Sequence, residues 1–247
     1  MNEVINQLKN RKSVRVFEER MIEEEIKEEI INAALEAPTA GAMMLYSIID
    51  ITDASKKHEL SILCDNQPFI EKAPMVMVFL ADYQRWYDTF TYNNCQPRTP
   101  GTGDILLAAS DALIAAQNTV VAAESLGIGS CYIGDIIEHC EEVRELLGLP
   151  EYTIPAAMLV YGYPSQSQKE RKKTARFDKD YIVFENSYNH LEKEEHLAMY
   201  QKREEKAGHP QKDITAIIQA FCQRKYMSEF SMEMNRSAEE YLKNFRK

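Results

Sequence analysis

A short basic segment near the start of the chain has the side chains best suited to binding an anion. Arg11, Lys12, Ser13, Val14 and Arg15 follow one another there. Arginine presents a planar fork of N–H donors and serine adds a hydroxyl donor, a combination that suits a phosphate dianion. A solvated basic N-terminus is the alternative interpretation, and the motif by itself leaves both open.

Motifs for several other chemistries are absent from the sequence. The nearest approach to a dinucleotide fingerprint, Gly127–Gly134, has the wrong spacing and leads from a helix into a strand, the reverse of the required order. There is no Walker loop, His-Glu-x-x-His motif or nucleophile elbow, and the five histidines lack the spacing of metal ligands. Nothing singles out one pair among the many carboxylates. We therefore predict no metal site and name no catalytic side chain.

The separated segments that remain each suit one part of a flavin. Pro38–Gly41 is a turn of small residues at a helix end, where backbone can approach a flat ring closely. Tyr132–Asp135 ends a strand and contains a glycine with the same property. Downstream, Arg176 closes a second basic run, Lys169–Arg176, and would supply a further cation.

The overall composition narrows the class of protein and of partner. The 247 residues include 45% hydrophobic and 28% charged side chains with a net charge of −10, which is ordinary for a globular domain but unfavourable for binding nucleic acid. Five cysteines without any Cys-x-x-Cys pair indicate free thiols in a reducing compartment. The polar first ten residues do not resemble a signal peptide, and we find no apolar run of membrane-spanning length. The sequence thus predicts a soluble, cytoplasmic protein without a nucleic-acid or membrane partner.

Hydrophobic periodicity predicts interspersed helices and strands, and hence an α+β or mixed α/β domain. The predicted helices are 2–10, 22–37, 104–126 and 138–147, and the predicted strands are Leu45–Ile51, Met75–Leu80, Ser130–Ile133 and Ala156–Tyr161. Helix 104–126, with Leu106 and Leu113 on its more apolar side, is rich enough in small and apolar residues that we expect it to be buried on all sides.

Two further regions each have two possible interpretations. Residues 84–104 form the least regular stretch, which is either a flexible surface loop or the wall of a pocket. The charged segment 190–247 is predicted to be helical and to pack on the body of the protein or on a partner subunit.

Through most of its length the chain resembles the FMN-dependent nitroreductase family. The likeness begins with Arg-Lys-Ser-Val-Arg-Val-Phe at residues 11–17, which looks like the opening phosphate motif of that family. Its last part is similar to the subgroup of NADPH-linked nitroreductases and flavin reductases that have a long C-terminal extension. The segments that resemble the family are, in chain order, residues 11–17, Ile30–Thr39, Ala116–Asn118, Ala122–Gly129, Lys173–Arg176 and Phe184–Tyr188.

The resemblance implies a homodimer with a nitroreductase-like α+β fold, in which helices surround a central, mostly antiparallel sheet. Residues 1–189 would form the FMN-binding core, and residues 190–247 a helical extension that packs on the core or the partner subunit. FMN would lie at the subunit interface. The residues expected to bind it are Arg11, Lys12, Ser13, Arg15, Thr39, Ala40, Gly41, Gln67, Ile133, Gly134, Lys173 and Arg176.

Within this set, the resemblance assigns each residue to a part of the cofactor. Lys12 is a candidate for the cation near flavin N1 and O2, and Gln67 would lie near the ribityl chain or the ring. Thr39, Ala40, Gly41, Ile133 and Gly134 would approach the isoalloxazine ring. The expected phosphate ligands are Arg11, Ser13, Arg15, Lys173 and Arg176.

The activity that the resemblance implies is hydride transfer from NADPH or NADH to flavin N5, followed by ping-pong reduction of a nitroaromatic, a quinone or a free flavin. Trp86, Phe90 and Tyr92 would offer stacking surfaces to such acceptors, although aromatic residues are more often simply packed. Two other functions stay open. One is a specialised reductive dehalogenase on the same fold, and the other is an FMN-binding protein without catalysis.

The sequence departs from the family pattern in three places. Met43–Leu45 stands where many relatives have a polar residue, and Asp135 adds a negative charge where close relatives often have glycine. Lys202–Lys212, where NADPH-linked relatives hold the 2′-phosphate, is mixed in charge. The preference between NADPH and NADH is therefore left undecided.

Overall fold

The computed structural model describes residues 2–209 and 213–246 of the chain. Helices and strands are interspersed as predicted, with bounds that mostly differ by one to three residues. In chain order they are α1 (Glu3–Asn10), α2 (Glu24–Leu35), β1 (Tyr46–Asp50), α3 (Ala54–Leu63), β2 (Met75–Asp82), α4 (Gln84–Tyr92), α5 (Thr102–Ser125), β3 (Gly129–Ile133), α6 (Cys140–Leu147), β4 (Thr153–Gly162), α7 (Gln166–Glu170), α8 (Lys193–Lys206), α9 (Ile214–Phe221) and α10 (Glu229–Leu242).

The four strands form one antiparallel sheet in the order β1–β2–β4–β3. All eight residues of β2 are buried, because its alternating side chains enter two different helical layers. Met75, Met77 and Phe79 pack with α2 and α5, while the intervening residues pack with α3 and α6. The edge strands are β1 and β3. The predicted α+β fold with a helix-covered antiparallel sheet is confirmed.

Within one copy of the chain, helix α5 is buried along one side only, whereas the prediction was burial on all sides. Ala108, Ala112 and Ala116, spaced four residues apart, are completely buried. Leu106 and Leu113 are 65% and 44% exposed, although the prediction placed both on the more apolar side. The alanines let α5 lie close against the sheet and α2, and Leu106 and Leu113 lie on the outer face.

Helix α5 is also long and apolar enough, by length and composition alone, to cross a membrane, and it is the one helix in the described ranges that meets this test. The prediction that no apolar run reaches that length is therefore wrong. The finding is weak evidence for a membrane, because core helices of soluble proteins pass the same test. In this structure α5 packs against α2 and the sheet.

The stretch 84–104 is more regular than predicted, because α4 occupies its first nine residues. Aromatic residues at helical spacing account for this helix. Tyr87 packs edge-on against Tyr152 with ring centroids 5.0 Å apart, and Trp86 lies 5.4 Å from Phe90. Only residues 93–101 lack a helix or strand.

The chain divides into two compact units, and neither border coincides with the predicted boundary at residue 189. The first unit contains residues up to 171 and from 232 onward, so Tyr241 and Phe245 belong to its core. The second unit, residues 172–231, contains α8 and α9, which pack against each other.

Candidate functional site

The basic segment is attached to the sheet beside β3. Ser13 forms a parallel bridge with Ser130, and the Val14 amide donates to the Ser130 carbonyl at 2.9 Å. This approach depends on Gly129, because a Cβ at that position would lie 2.4 Å from Val14 Cγ2. The glycine that begins the strand thus lets the basic segment lie against the sheet edge.

An extended segment places alternate side chains on opposite sides, so Arg11, Ser13 and Arg15 share one side. Val14, on the other side, is 4% exposed. The Nε atom of Arg11 is buried and has no hydrogen-bond partner among the described residues. Neither Arg11 nor Arg15 forms a salt bridge with a carboxylate in the part of the chain that the structure describes. Two unpaired guanidinium groups beside a hydroxyl form a suitable site for an anion.

Lys12 and Arg171 hold the basic segment in place from the opposite side. The Lys12 Nζ atom donates to the backbone carbonyl of Lys169 at 2.9 Å and to that of Arg171. Arg171 in turn donates to the Ser13 carbonyl. Because two of the three ammonium donors of Lys12 serve the backbone, one is left for the predicted contact near flavin N1 and O2. Arg171 was not among the predicted site residues.

The structure brings Gln67 to the same edge of the sheet. The guanidinium of Arg15 lies 5.7 Å from the ring centroid of Phe69, which places the turn containing Gln67 next to the basic segment. Two residues with left-handed backbone, Asp65 (φ 59°) and Asn66 (φ 51°), lead into Gln67. The backbone amide of Gln67 donates to the Ser61 carbonyl at 2.8 Å, which fixes the turn. Such backbone strain persists where surrounding contacts hold it, often at binding sites.

The Gln67 side chain connects this turn to the end of β3. Its Nε2 atom donates to Asp135 Oδ2 and to the Cys64 carbonyl, both at 2.8 Å. Asp135 follows Ile133 and Gly134 directly. A Cβ at Gly134 would meet no atom of the described residues within 4 Å, so the strand end faces open space.

A buried acid that sequence reasoning missed lies one turn beyond Gly134. Glu138 is 2% exposed, and its Oε1 atom has no hydrogen-bond partner among the described residues. Burial raises the pKa of Glu138 to about 8, with further contributions from the charge of Asp135 and a hydrogen bond with its side chain. Burial also raises the pKa of the neighbouring Cys64 thiol. The one indication of this cluster in the sequence was Asp135, which stands where close relatives often have glycine.

The predicted ring-contacting turn is strained and rests on a second buried acid. Gly41 (φ 54°), Ala42 (φ 57°) and Met44 (φ 49°) all have left-handed backbone. Asp111 of α5, which is 3% exposed, accepts the Thr39 hydroxyl at 2.5 Å and the Ala40 amide at 3.1 Å.

The Leu45 amide also donates to Asp111, at 3.2 Å. Sequence reasoning missed Asp111, although an acid in the middle of an apolar helix was an available signal.

Helix α4 holds the outer side of this turn. Trp86 Nε1 donates to the Met43 carbonyl at 2.7 Å, and Arg85 donates to the carbonyls of Met44 and Tyr46. The indole N–H of Trp86 is thus occupied by the backbone. The predicted stacking role of Trp86, Phe90 and Tyr92 stays a prediction, with Tyr92 81% exposed.

Two parts of the predicted site lie on opposite edges of the sheet within one copy of the chain. Arg11, Ser13 and Arg15 are brought together with Gln67, Ile133 and Gly134 beside the edge strand β3. Thr39, Ala40 and Gly41 instead precede β1, the other edge strand, three strand spacings away. At about 4.8 Å per spacing, the two edges are roughly 14 Å apart.

Other predicted residues lie in the second unit. Lys173 and Arg176 belong to it, so their contact with a phosphate stays a prediction. Within that unit, the guanidinium carbon of Arg203 lies 4.4 Å from the ring centroid of Tyr200. Lys206 pairs with Asp178. Residues 210–212 of the predicted 2′-phosphate segment lie outside the described residues.

A cavity of about 290 Å³ lies where the loop 93–101 meets α4. Tyr83, Tyr87 and Phe90 form its aromatic wall, and Arg98 lies at its edge paired with Asp104 at 2.5 Å. Of the two interpretations of stretch 84–104, this geometry favours the wall of a pocket. Among the described residues, no group of three or more His, Cys, Asp or Glu side chains is arranged to hold a metal ion.

Comparison with known proteins identifies the family of the chain. The model of the Nitroreductase family matches residues 8–163. The chain is 34% identical over 191 residues to the FMN reductase (NADPH) of Bacillus subtilis strain 168, in an alignment that covers 76% of each protein. The structure of NfrA2 from B. megaterium is similar over all of both chains, with a TM-score of 0.84 and 30% identity. The NADPH:FMN oxidoreductase from Vibrio harveyi, complexed with NAD+, has a TM-score of 0.73 and 30% identity over 90% of this chain and 97% of its own.

Proposed function

Since the chain belongs to the nitroreductase family, we propose that it is an oxidoreductase that binds FMN and transfers hydride from NADPH or NADH to small aromatic acceptors. The observation that carries this proposal is the set of unpaired donors on one side of the basic segment. Arg11, Ser13 and Arg15 share one side of a segment that is bridged to Ser130 of β3, the strand that ends just before Gly134.

The residues present suit FMN. The buried, unpartnered Nε atom of Arg11 needs an acceptor, and a phosphate oxygen is such an acceptor. Open space at Gly134 leaves room for a flat ring against backbone. When bound, FMN supplies two-electron hydride chemistry at its N5 atom.

The protein's own residues then bind and orient the cofactor. Arg11 and Arg15 balance the phosphate charge, and Ser13 adds a hydroxyl donor. Gln67 is held by hydrogen bonds on its nitrogen, which leaves its carbonyl oxygen for the ligand. Hydride transfer itself requires no acid or base from the protein, so the site does not need a catalytic side chain.

We further propose that a second copy of the chain completes the site. Thr39, Ala40 and Gly41 lie on the far edge of the sheet from Gly134, so a ring that contacts both groups needs them from different copies. Exposed apolar side chains on the outer face of α5, including Leu106 and Leu113, support such an association.

The finer points of the reaction are part of the same proposal. Donor and acceptor would use one open pocket in turn, which gives ping-pong kinetics with nitroaromatics, quinones or flavins. FMN reductase (NADPH) is the name of one relative, and NADPH is therefore the first donor to test, with NADH second. The five free cysteines favour a reducing, cytoplasmic location.

An anaerobic visible spectrum of the purified protein tests this function directly. We expect a flavin spectrum that bleaches on adding NADPH or NADH and recovers on adding a nitroaromatic or a quinone. A flavin spectrum that neither donor bleaches would favour a non-catalytic FMN protein or a specialised dehalogenase. A colourless protein that stays colourless with added FMN would contradict the proposal.

A further inference from the structure

The orientation of the Gln67 amide is determined by its neighbours. The Cys64 backbone carbonyl is only an acceptor, so the side-chain atom 2.8 Å from it must be the amide nitrogen of Gln67. The second N–H of that nitrogen points to Asp135 Oδ2, also at 2.8 Å. Both amide hydrogens are therefore used inside the protein, and Gln67 presents a hydrogen-bond acceptor to any ligand.

Asp135, which holds Gln67, is itself next to the buried acid Glu138. The two are joined at the backbone, where the Glu138 amide donates to the Asp135 carbonyl at 3.0 Å. Burial of Glu138, the charge of Asp135 and side-chain hydrogen bonding to Asp135 together raise the pKa of Glu138 to about 8. When two carboxyl groups share a site away from water, one of them keeps its proton.

The charged groups that face Glu138 from other elements favour the same state. Asp65, at the turn after α3, and Glu233, on α10, are both acids, and each raises the pKa of Glu138 further. Arg236 does carry a positive charge nearby, but its guanidinium pairs with Glu141 and Glu233 at 2.7 and 2.8 Å. Glu138 therefore lies near three other acids, Asp65, Asp135 and Glu233. Protonation of Glu138 removes the repulsion between its carboxylate and theirs.

We propose that Glu138 keeps a proton at neutral pH, donates it in a hydrogen bond to Asp135, and so positions Gln67 with its carbonyl oxygen toward the bound FMN. Glu138 is thus a positioning residue that makes FMN affinity depend on pH. The inference rests on the proposed FMN function, and it concerns Asp135 and Glu138, which follow the strand end at Gly134.

Loss of this proton has a defined consequence. With Glu138 ionised, its buried carboxylate repels that of the half-buried Asp135, and Asp135 moves away from its hydrogen bond with Gln67. The Gln67 amide is then free to rotate, so its carbonyl oxygen is less often available to the ligand. A net hydrogen bond of about 0.5–1.5 kcal/mol corresponds to a roughly two- to twelvefold weaker affinity.

The first experiment follows FMN binding to the apoprotein by quenching of flavin fluorescence at pH 7 and pH 9. We expect wild-type affinity to fall roughly two- to twelvefold between these pH values. Glu138→Gln, which keeps the shape and a donor but cannot ionise, should bind equally well at both. Glu142→Gln, an exposed glutamate on α6, is the matched control and should behave as wild type.

Gln67→Leu tests whether the effect passes through the amide. It should bind FMN more weakly at pH 7 and show little further loss at pH 9. A wild-type affinity that does not change with pH, or a Glu138→Gln variant that loses affinity as wild type does, would overturn the inference.

An infrared spectrum of the apoprotein separates this inference from the proposed function. We expect the carbonyl band of a protonated carboxylic acid in wild type at pH 7, absent at pH 9 and absent in Glu138→Gln. If the band is present but FMN does not bind at either pH, the proposed function fails. If FMN binds and the band is absent, the role of Glu138 fails.

Discussion

Arg11 and Arg15 have no carboxylate partner among the described residues, whereas three other arginines of the first unit do. Arg20, Arg98 and Arg236 each form a salt bridge with a nearby acid. In a chain of net charge −10, two arginines left unpaired on one side of a segment indicate an anionic ligand.

We expect Arg15→Ala to lower FMN affinity by roughly ten- to 150-fold, because it removes a charge-assisted hydrogen bond worth about 1.5–3 kcal/mol. Arg11→Ala should act in the same direction. Fluorescence titration of the apoprotein with FMN measures this, and Arg20→Ala is the control. Unchanged affinity in either variant removes that residue from the phosphate site.

Asp111 has a structural role in the turn that precedes β1. Asp111→Ala leaves the Thr39 hydroxyl and the Ala40 and Leu45 amides without their buried acceptor. We expect the free energy of unfolding to fall by about 2–4 kcal/mol, as for other buried polar groups left unsatisfied. Urea denaturation measures the change, with the exposed neighbour Ser110→Ala as control. Equal stability of the two variants would contradict this role.

Glu138 also makes the stability of the protein depend on pH. Its pKa is about 8 in the folded protein against 4.5 for an ordinary glutamate, so the folded state binds a proton that the unfolded state has lost between these pH values. Its contribution to stability therefore falls as pH rises from about 4.5 to 8 and is constant above that.

The Glu138→Gln variant should be more stable relative to wild type at pH 8.5 than at pH 5, by about 1–3 kcal/mol. Urea denaturation at the two pH values measures the difference. If the difference in stability between Glu138→Gln and wild type is the same at pH 5 and pH 8.5, Glu138 ionises normally in the folded protein.

Sequence reasoning selected the side chains that have recognisable chemistry and did not select those that position them. Arg11, Ser13 and Arg15 were predicted because two guanidinium groups and a hydroxyl within one short segment match the charge and the acceptor oxygens of a phosphate. Asp111 and Glu138 were missed because their importance depends on burial, which the sequence of a helix or turn does not specify.

The basic segment and β3 act as one element, joined where Gly129 meets Val14. We expect Gly129→Ala to force this segment away from the sheet, since its Cβ would lie 2.4 Å from Val14 Cγ2. The cost should be about 1–3 kcal/mol of stability, as for other overpacked sites, with weaker FMN binding. Gly103→Ala, whose Cβ would meet no described atom within 4 Å, is the control. A Gly129→Ala protein that keeps both stability and FMN affinity would contradict this packing.

The four predicted strands and the predicted helices 2–10, 22–37, 104–126 and 138–147 follow from hydrophobic periodicity and are all present, whereas α3, α4 and α7 were not predicted. The burial of α5 does not follow, because alanine and leucine are both apolar and periodicity alone does not tell which of them faces the sheet. Close packing decides, and it places Ala108 and Ala112 inward and Leu106 outward. Helix α4 was missed for a similar reason, since its aromatic residues are interspersed with polar ones.

The complete molecule, as we propose it, is a homodimer whose interface includes the outer face of α5. Leu113→Glu should weaken association by at least about tenfold, because it places a charge in an apolar interface, and FMN binding should fall with it. Sedimentation velocity measures association, and Ile62→Glu, at an exposed apolar site on α3, is the control. A Leu113→Glu protein that remains dimeric would place the interface elsewhere.

The division into two units also bears on how such proteins diversify. Residues 172–231 form an insertion, because the chain leaves the first unit at Arg171 and returns to it at Met232, before the buried Tyr241 and Phe245. Truncation from the C-terminus would therefore remove part of the first unit's core before it reached the insertion. Exchange of the inserted segment as a cassette leaves that core intact. Evolution, or a protein engineer, is thus able to change the inserted unit of this enzyme while the scaffold around β3 stays the same.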